Sequence, residues 1–240
     1  MLQACLNGGR SKSEHASIPV TASELVEHAL AVRHAGAEEL HIHPRNPQAR
    51  ETLEPDYVGQ CLSAIRAAVP RMPVGVGTGA WIEPKSQARL EHIKQWQILP
   101  DYASVNVNED DATETMDILL LKGIGIEAGI WTKRDAERFV GLPQASHCLR
   151  ILIEMTNDDP DAAMAEYRDV MSVLEGQGNL LPILLHGEGG SVWTMAREAA
   201  RRGFSTRVGF EDGLHLPDRA LAQDNAALVR AAVNLSTESH

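Results

Sequence analysis

Apolar and polar positions alternate along this chain in a repeating two-part rhythm. Short apolar runs at Leu2 to Gly9, Glu39 to His43, Val74 to Trp81, Tyr102 to Asn108, Gly123 to Trp131, Leu149 to Met155, Leu181 to His186 and Thr206 to Phe210 read as eight strands. Amphipathic stretches separate them. One starts at the capping box Thr21-Ala22-Ser23-Glu24 and stops at Gly36, and a second covers Asp56 to Val69. The others lie near 87–98, 112–122, 133–140, 158–175, 191–202 and 218–234. Strict strand-helix alternation implies a parallel sheet, and eight units in 240 residues fit one α/β domain, a (β/α)8 TIM barrel over 1–240. The stretch Asn7-Gly8-Gly9-Arg10 does not supply the glycine motif expected of an open, doubly wound sheet. The polar residues 234–240 read as a frayed tail.

Composition narrows the class. A net charge of −11 and a pI near 5.3 argue against a nucleic-acid partner, which calls for a basic face. Cys5, Cys61 and Cys148 stand far apart and form no CxxC pair, so they read as reduced thiols of a cytoplasmic protein. No apolar stretch approaches the ~20 residues of a membrane span, and no signal peptide precedes the first run.

The chemistry gathers at the C-terminal ends of the predicted strands, where barrels of this kind place their sites. Asn7, Glu14, His41, His43, Arg45, Thr78, Asn106, Asn108, Glu127, Glu154, His186, Glu188, Arg207, Glu211 and Asp212 all fall there. A structural core has no need of so many polar groups at one end. His41 and His43 are two residues apart on a strand and so point the same way, which suits one zinc ion. The plainer reading is one histidine bonded in the core and one exposed. Glu211 is the best third ligand, because in a closed barrel strand eight lies one strand away from strand two. Arg207 and Asp212 form a structural ion pair or, beside a metal, a group that takes a proton or holds a carboxylate. Gly187-Glu188-Gly189-Gly190-Ser191 opens a helix, either as an anion cradle or as a tight turn with a serine cap. Trp81, Trp131 and Trp193 stand near the barrel mouth as pocket walls or plugs.

Two blocks carry a resemblance. Ile18-Pro19-Val20-Thr21 leading to Ala35-Gly36-Ala37 and His41-Ile42-His43-Pro44-Arg45, with Gly203 followed by Arg207-Val208-Gly209-Phe210-Glu211-Asp212, resembles the β-keto acid cleavage enzyme family. The resemblance implies a zinc-containing (β/α)8 barrel, a homo-oligomer, that condenses a small β-keto acid with acetyl-CoA and splits the product into acetoacetate and a new acyl-CoA. It implies His41, His43 and Glu211 as metal ligands, and Arg207 and Asp212 as the pair promoting deprotonation. Glu14 and Thr78 match a loop glutamate and a serine position of the family, and Asn106, Glu127, Gly187 and Gly189 are expected to contact substrate. The segment His186 to Gly190 carries no basic side chain for CoA phosphates. A CoA-independent metal-dependent aldolase or hydrolase, and a metal-bound barrel that only binds a ligand, are the alternatives.

Overall fold

The computed structural model describes residues 1–176, 178 and 181–238. Its centre is eight parallel strands: β1 (Leu2–Cys5), β2 (Glu39–Ile42), β3 (Val74–Gly77), β4 (Tyr102–Asn106), β5 (Gly125–Ile130), β6 (Arg150–Met155), β7 (Ile183–Gly187) and β8 (Ser205–Val208). They pair in sequence order and β8 closes on β1, giving the expected single-domain (β/α)8 barrel. The helices of the outer ring are α1 (Ala22–Ala35), α2 (Pro55–Ala68), α3 (Ser86–Gln95), α4 (Ala112–Leu121), α5 (Lys133–Val140), α6 (Pro160–Gly176), α7 (Val192–Arg202) and α8 (Asn225–Glu238).

Local sequence explains why these elements form. Thr21 caps α1: its hydroxyl accepts from the Glu24 amide while the Glu24 carboxylate accepts from the Thr21 amide, at 3.2 and 2.9 Å. Gly36 ends the helix in the left-handed region at φ 111°, which glycine adopts without a Cβ clash. The strands are buried on both faces, an apolar face under the helices and a polar face inside the barrel. Leu40 and Ile42 of β2 face outward to the helix layer, where Leu25, Ala29, Val58, Leu62 and Ile65 join them in the core.

The inward face is polar, and it stacks in layers. At the bottom, Gln3 donates to Glu127 (2.8 Å) and to the Tyr102 hydroxyl (3.0 Å), and Arg150 donates to Glu127 (2.8 Å) and pairs with Glu39. Gly75 leaves the space that the Tyr102 ring fills. Register then sets the next layer up, pairing Cys5 with His41 and Gln3 with Arg207. The barrel is thus plugged by a bonded network, with the reactive groups above it.

Several strands end earlier than the apolar runs suggest. β3 stops at Gly77, so Trp81 sits in the following turn, and Asn108 likewise lies past the end of β4. β8 stops at Val208, and a tight turn, with Asp212 and Gly213 amides both donating to the Gly209 carbonyl, delivers Glu211. Glu211 therefore does not share a strand face with Arg207. The helix expected from 218 begins at Asn225, because Pro217 and Arg219 (φ 70°) shape a loop that the His215–Leu221 bridge closes. α8 continues through 234–238, where the polar tail was expected to fray, and Ser239 and His240 lie outside the described residues.

The network makes a measurable claim. Arg150→Met strips Glu127, which is 0% exposed, of its cation. Unpairing one member of a buried ion pair costs about 3–5 kcal/mol. Urea denaturation should show that loss, and a change under about 1 kcal/mol would mean the plug carries no stability.

Candidate metal centre and active site

β2 carries His41 inward, and His43 follows one residue past its end; both are buried. Their Nε2 atoms approach to 3.1 Å, and Glu211 Oε1 lies 3.4 Å from His43 Nε2 and 3.8 Å from His41 Nε2. One ligand atom from each residue falls within 4.8 Å of the others. Two neighbouring features make the convergence possible. Gly77 has no side chain where the His43 ring sits: a Cβ there would lie 2.5 Å from the imidazole. Gly8, at φ 53°, leaves room for the Glu211 side chain.

Each ligand is oriented from behind. His43 Nδ1 contacts Glu51 Oε1 at 2.5 Å, and Glu51 also accepts from Trp81 Nε1 at 3.3 Å. Asn7 clamps the His43 backbone, accepting from its amide (2.9 Å) and donating to its carbonyl (2.8 Å). His41 Nδ1 faces Glu127 Oε2 at 3.9 Å, and Arg10 Nε donates to the Glu211 carbonyl at 3.2 Å. A carboxylate behind a histidine fixes its tautomer and raises its basicity toward a metal.

The donor set fits a divalent ion. Two imidazole nitrogens and a carboxylate are the ligands of an open zinc-type site, and the second Glu211 oxygen has no hydrogen-bond partner. Burial drops the His41 pKa to about 3. Burial also opposes charge on His43, but the Glu211 and Glu51 carboxylates override it and raise the pKa to about 9. His43 must therefore give up a proton for a metal to bind.

Beside the triad, Arg207 Nη2 donates to Asp212 Oδ1 (2.7 Å) and to Glu211 Oε1 (3.1 Å), and Nε donates to Asp212 Oδ2 (3.2 Å). Arg207 is 2% exposed and Asp212 0%. Burial alone would raise the Asp212 pKa; Arg207 and His186 reverse this and hold the carboxyl below its usual value. Cys5 Sγ donates to Asp212 Oδ2 at 3.1 Å, and His186 stands between Asp212 (3.3 Å) and Glu154 (3.4 Å). A cavity of about 340 Å³ opens above, lined by His41, His43, Arg207 and Glu211 on one side and by Trp131, Glu154 and Glu188 on another. The chamber thus gathers imidazole nitrogens, carboxylates and a fixed guanidinium, with Asp212 fully buried behind Arg207 and outside the lining.

Known proteins resemble this chain in sequence and fold. The family model described as beta-keto acid cleavage enzyme matches residues 1–121 and 141–240. The chain belongs to the β-keto acid cleavage enzyme family. It is similar to the 3-keto-5-aminohexanoate cleavage enzyme of Acetoanaerobium sticklandii, with 24% identity over 99% of this chain and 92% of that protein. It is also similar to the 3-oxoadipate:acetyl-CoA acetyltransferase of Cupriavidus necator, with 29% identity over 95% of this chain and 84% of the relative. The binary complex of ObcA with oxaloacetate shares the fold, at TM-score 0.75 and 15% identity, over 91% of this chain but only 63% of the longer ObcA chain. Membership of the β-keto acid cleavage enzymes places the chain among enzymes that break a carbon–carbon bond.

Not all of the residues expected at this family's site meet in the cavity. Asn106 lines it and donates to Glu109 at 2.9 Å. Glu14 folds back on its own turn, accepting from Ser11 N (2.8 Å) and Arg10 (3.0 Å), outside the cavity lining. Thr78 is buried against the Ser104 carbonyl (2.6 Å), and Glu127 lies one layer below His41. Gly187 ends β7 packed against Ser191 and Met195. The glycine turn does not present free amides for an anion: Gly189 N donates to the Asp212 carbonyl, Gly190 N to Asp158 Oδ1 and Ser191 N to the Glu188 carbonyl. Glu51, Cys5 and the contact of His186 with Asp212 are the parts that sequence spacing did not reveal.

Two outcomes follow for metal binding. Glu51→Gln should weaken divalent-metal affinity about 10–100-fold, measured by competition with a chelating dye; unchanged affinity would show that Glu51 does not orient His43. In the wild type, apparent affinity should rise with pH until His43 loses its proton at about 9. Titration calorimetry in buffers of different ionisation enthalpy reads that released proton directly.

Proposed function

We propose that this enzyme is a zinc-dependent catalyst that cleaves a small β-keto acid with acetyl-CoA as acceptor, yielding acetoacetate and a new acyl-CoA. The observation that carries the reading is the shared guanidinium: Arg207 Nη2 touches both the metal-ligand Glu211 and the acid Asp212. His41, His43 and Glu211 would hold the ion, leaving open positions for substrate. A bound zinc ion supplies Lewis-acid stabilisation of negative charge on a keto oxygen.

The chain's own residues do the rest. Asp212, kept ionised by Arg207, takes the proton from the carbon between the keto and carboxylate groups. Arg207 Nη1 has no acceptor among the described residues, and it can receive the substrate carboxylate while Nε and Nη2 stay fixed on Asp212 and Glu211. Burial of Arg207 and Asp212 excludes water from the proton transfer. Cys5 and His186 hold Asp212 in place from two further directions.

A second cavity of about 780 Å³ supports acetyl-CoA as partner. Gly213 lines it directly after Asp212, and Arg10, whose Nε donates to the Glu211 carbonyl, links it to the metal centre. Arg10, Arg197 and Arg219 provide cations for phosphates, and Trp193 offers an aromatic face for a base. The basic residues missing from 186–190 thus come from α7 and the loops after β1 and β8. Free, buried cysteines and the absence of a membrane-length apolar helix among the described residues agree with a cytoplasmic enzyme, and we infer a homo-oligomer from the family resemblance.

Acetoacetate should form from a β-keto acid only when acetyl-CoA is present; turnover without it would favour the aldolase or hydrolase. Asp212→Asn should retain the metal and lower kcat about 10²–10⁴-fold, and undiminished kcat would remove the proton-transfer role. Arg197→Ala and Arg219→Ala should raise KM for acetyl-CoA while kcat holds, as expected for contacts made equally in ground and transition states.

A further inference from the structure

Four arginines are buried among the described residues, and three of them are ion-paired: Arg89 with Asp111, Arg150 with Glu127 and Arg207 with Asp212. Arg45 is the exception. It is 9% exposed and forms no ion pair among the described residues, although burying an unpaired cation is costly. Its guanidinium is spent on main-chain carbonyls instead. Nη1 donates to Ala49 (2.9 Å), Nη2 donates to Gly8 (2.6 Å) and to Arg10 (2.5 Å), and Nε is buried with no acceptor. One side chain just past the end of β2 thus grips two loops, the one that follows β1 and its own.

The gripped segment is the one that two carboxylates of the metal centre lean on. Gly8 presents bare backbone where Glu211 packs, since a Cβ there would collide with Glu211 Cγ. Arg10 Nε donates to the Glu211 carbonyl, and a Cβ at Gly9 would lie 3.2 Å from Glu51 Oε2. Glu211 and Glu51, the third ligand and the carboxylate behind His43, therefore both sit against residues 8–10. The other end of the grip is a tight turn. Asn46 N donates to the Arg50 carbonyl, Ala49 N donates to the Asn46 carbonyl, and Asn46 Oδ1 accepts from the Gln48 and Arg50 amides. Ala49, whose carbonyl Arg45 holds, is kept at φ 58°, a left-handed conformation that an alanine adopts only when its surroundings impose it.

We propose that Arg45 is a positioning residue for the metal centre: its guanidinium fixes the Gly8–Arg10 segment beneath Glu211 and so sets how closely that carboxylate approaches the histidine pair. The inference rests on the reading of His41, His43 and Glu211 as one metal site. His41 and His43 come from a single strand end, so their spacing does not depend on this grip. Glu211 arrives on a turn after β8, from the other side of β1, and the β1 loop is the surface it packs on. Reaching three carbonyls in two loops needs the rigid fork of an arginine, which a lysine does not supply.

Cobalt(II) is the probe, because its visible absorption follows the geometry of its ligands. Titrating it into metal-free protein gives affinity and spectrum together. Arg45→Met should bind cobalt(II) at least about tenfold more weakly than the wild type, with an altered visible band. Arg45→Lys keeps the charge but replaces the fork with one nitrogen; it should fall between the two, and it carries the test if Arg45→Met does not fold. Arg89→Met removes a buried arginine whose partners are Asp111 and Glu109, so it should lose stability in urea yet keep the wild-type affinity and spectrum. Wild-type affinity and spectrum in both Arg45 variants, or the same loss in Arg89→Met, overturns the proposal and leaves the metal centre standing. Cobalt(II) binding that Glu211→Ala does not disturb removes the metal-centre reading, and the role of Arg45 with it.

Discussion

β1 hydrogen-bonds to β2 along one edge and to β8 along the other, and this double pairing is what the candidate site depends on. The Leu6 amide reaches the His41 carbonyl at 3.0 Å, and the Glu211 amide approaches the Cys5 carbonyl at 3.5 Å. Closure therefore brings a histidine pair near the start of the chain against a glutamate 168 positions beyond His43. An open sheet of the same strands would leave β2 and β8 at separate places, and no third ligand would reach His41 and His43. The glycines at positions 8 and 77 complete the approach by giving up side-chain volume where the ligands need it.

The second dependency is electrostatic. The barrel interior buries Glu127, Arg150, Arg207, Asp212 and His186 within a few layers, which water cannot solvate. Each charge survives because a neighbour compensates it: Arg150 against Glu127 and Glu39 below, Arg207 against Asp212 and Glu211 above. The triad aims two imidazole nitrogens and a carboxylate at one point, the donor set of a divalent ion. The Glu211 and Glu51 carboxylates draw His43 toward a high pKa there, so a metal displaces a proton as it binds.

Much of this was legible in the sequence, for physical reasons. The eight-fold alternation follows from burying each strand on both faces, and the α1 boundaries follow from the Thr21–Glu24 box and Gly36. His-x-His on a strand forces both rings to one side, and Arg207, Glu211 and Asp212 lie close enough in sequence to read together. Long-range orientation was not legible. Cys5 and Asp212 are 207 positions apart, and nothing about a lone cysteine announces a carboxylate partner. Glu51 sits in a loop whose path depends on the Arg45–Glu51 bridge. The glycine turn after β7 looked like an anion cradle because sequence does not show that its amides are already spent on Asp212 and Asp158.

The central claim is that His41, His43 and Glu211 act together as one metal centre. Elemental analysis of protein dialysed against limiting zinc tests it most directly, comparing wild type with His41→Ala, His43→Ala and Glu211→Ala. The account predicts about one ion per chain in the wild type and its loss in each variant. Full retention by all three variants, with circular dichroism showing an intact barrel, would contradict it.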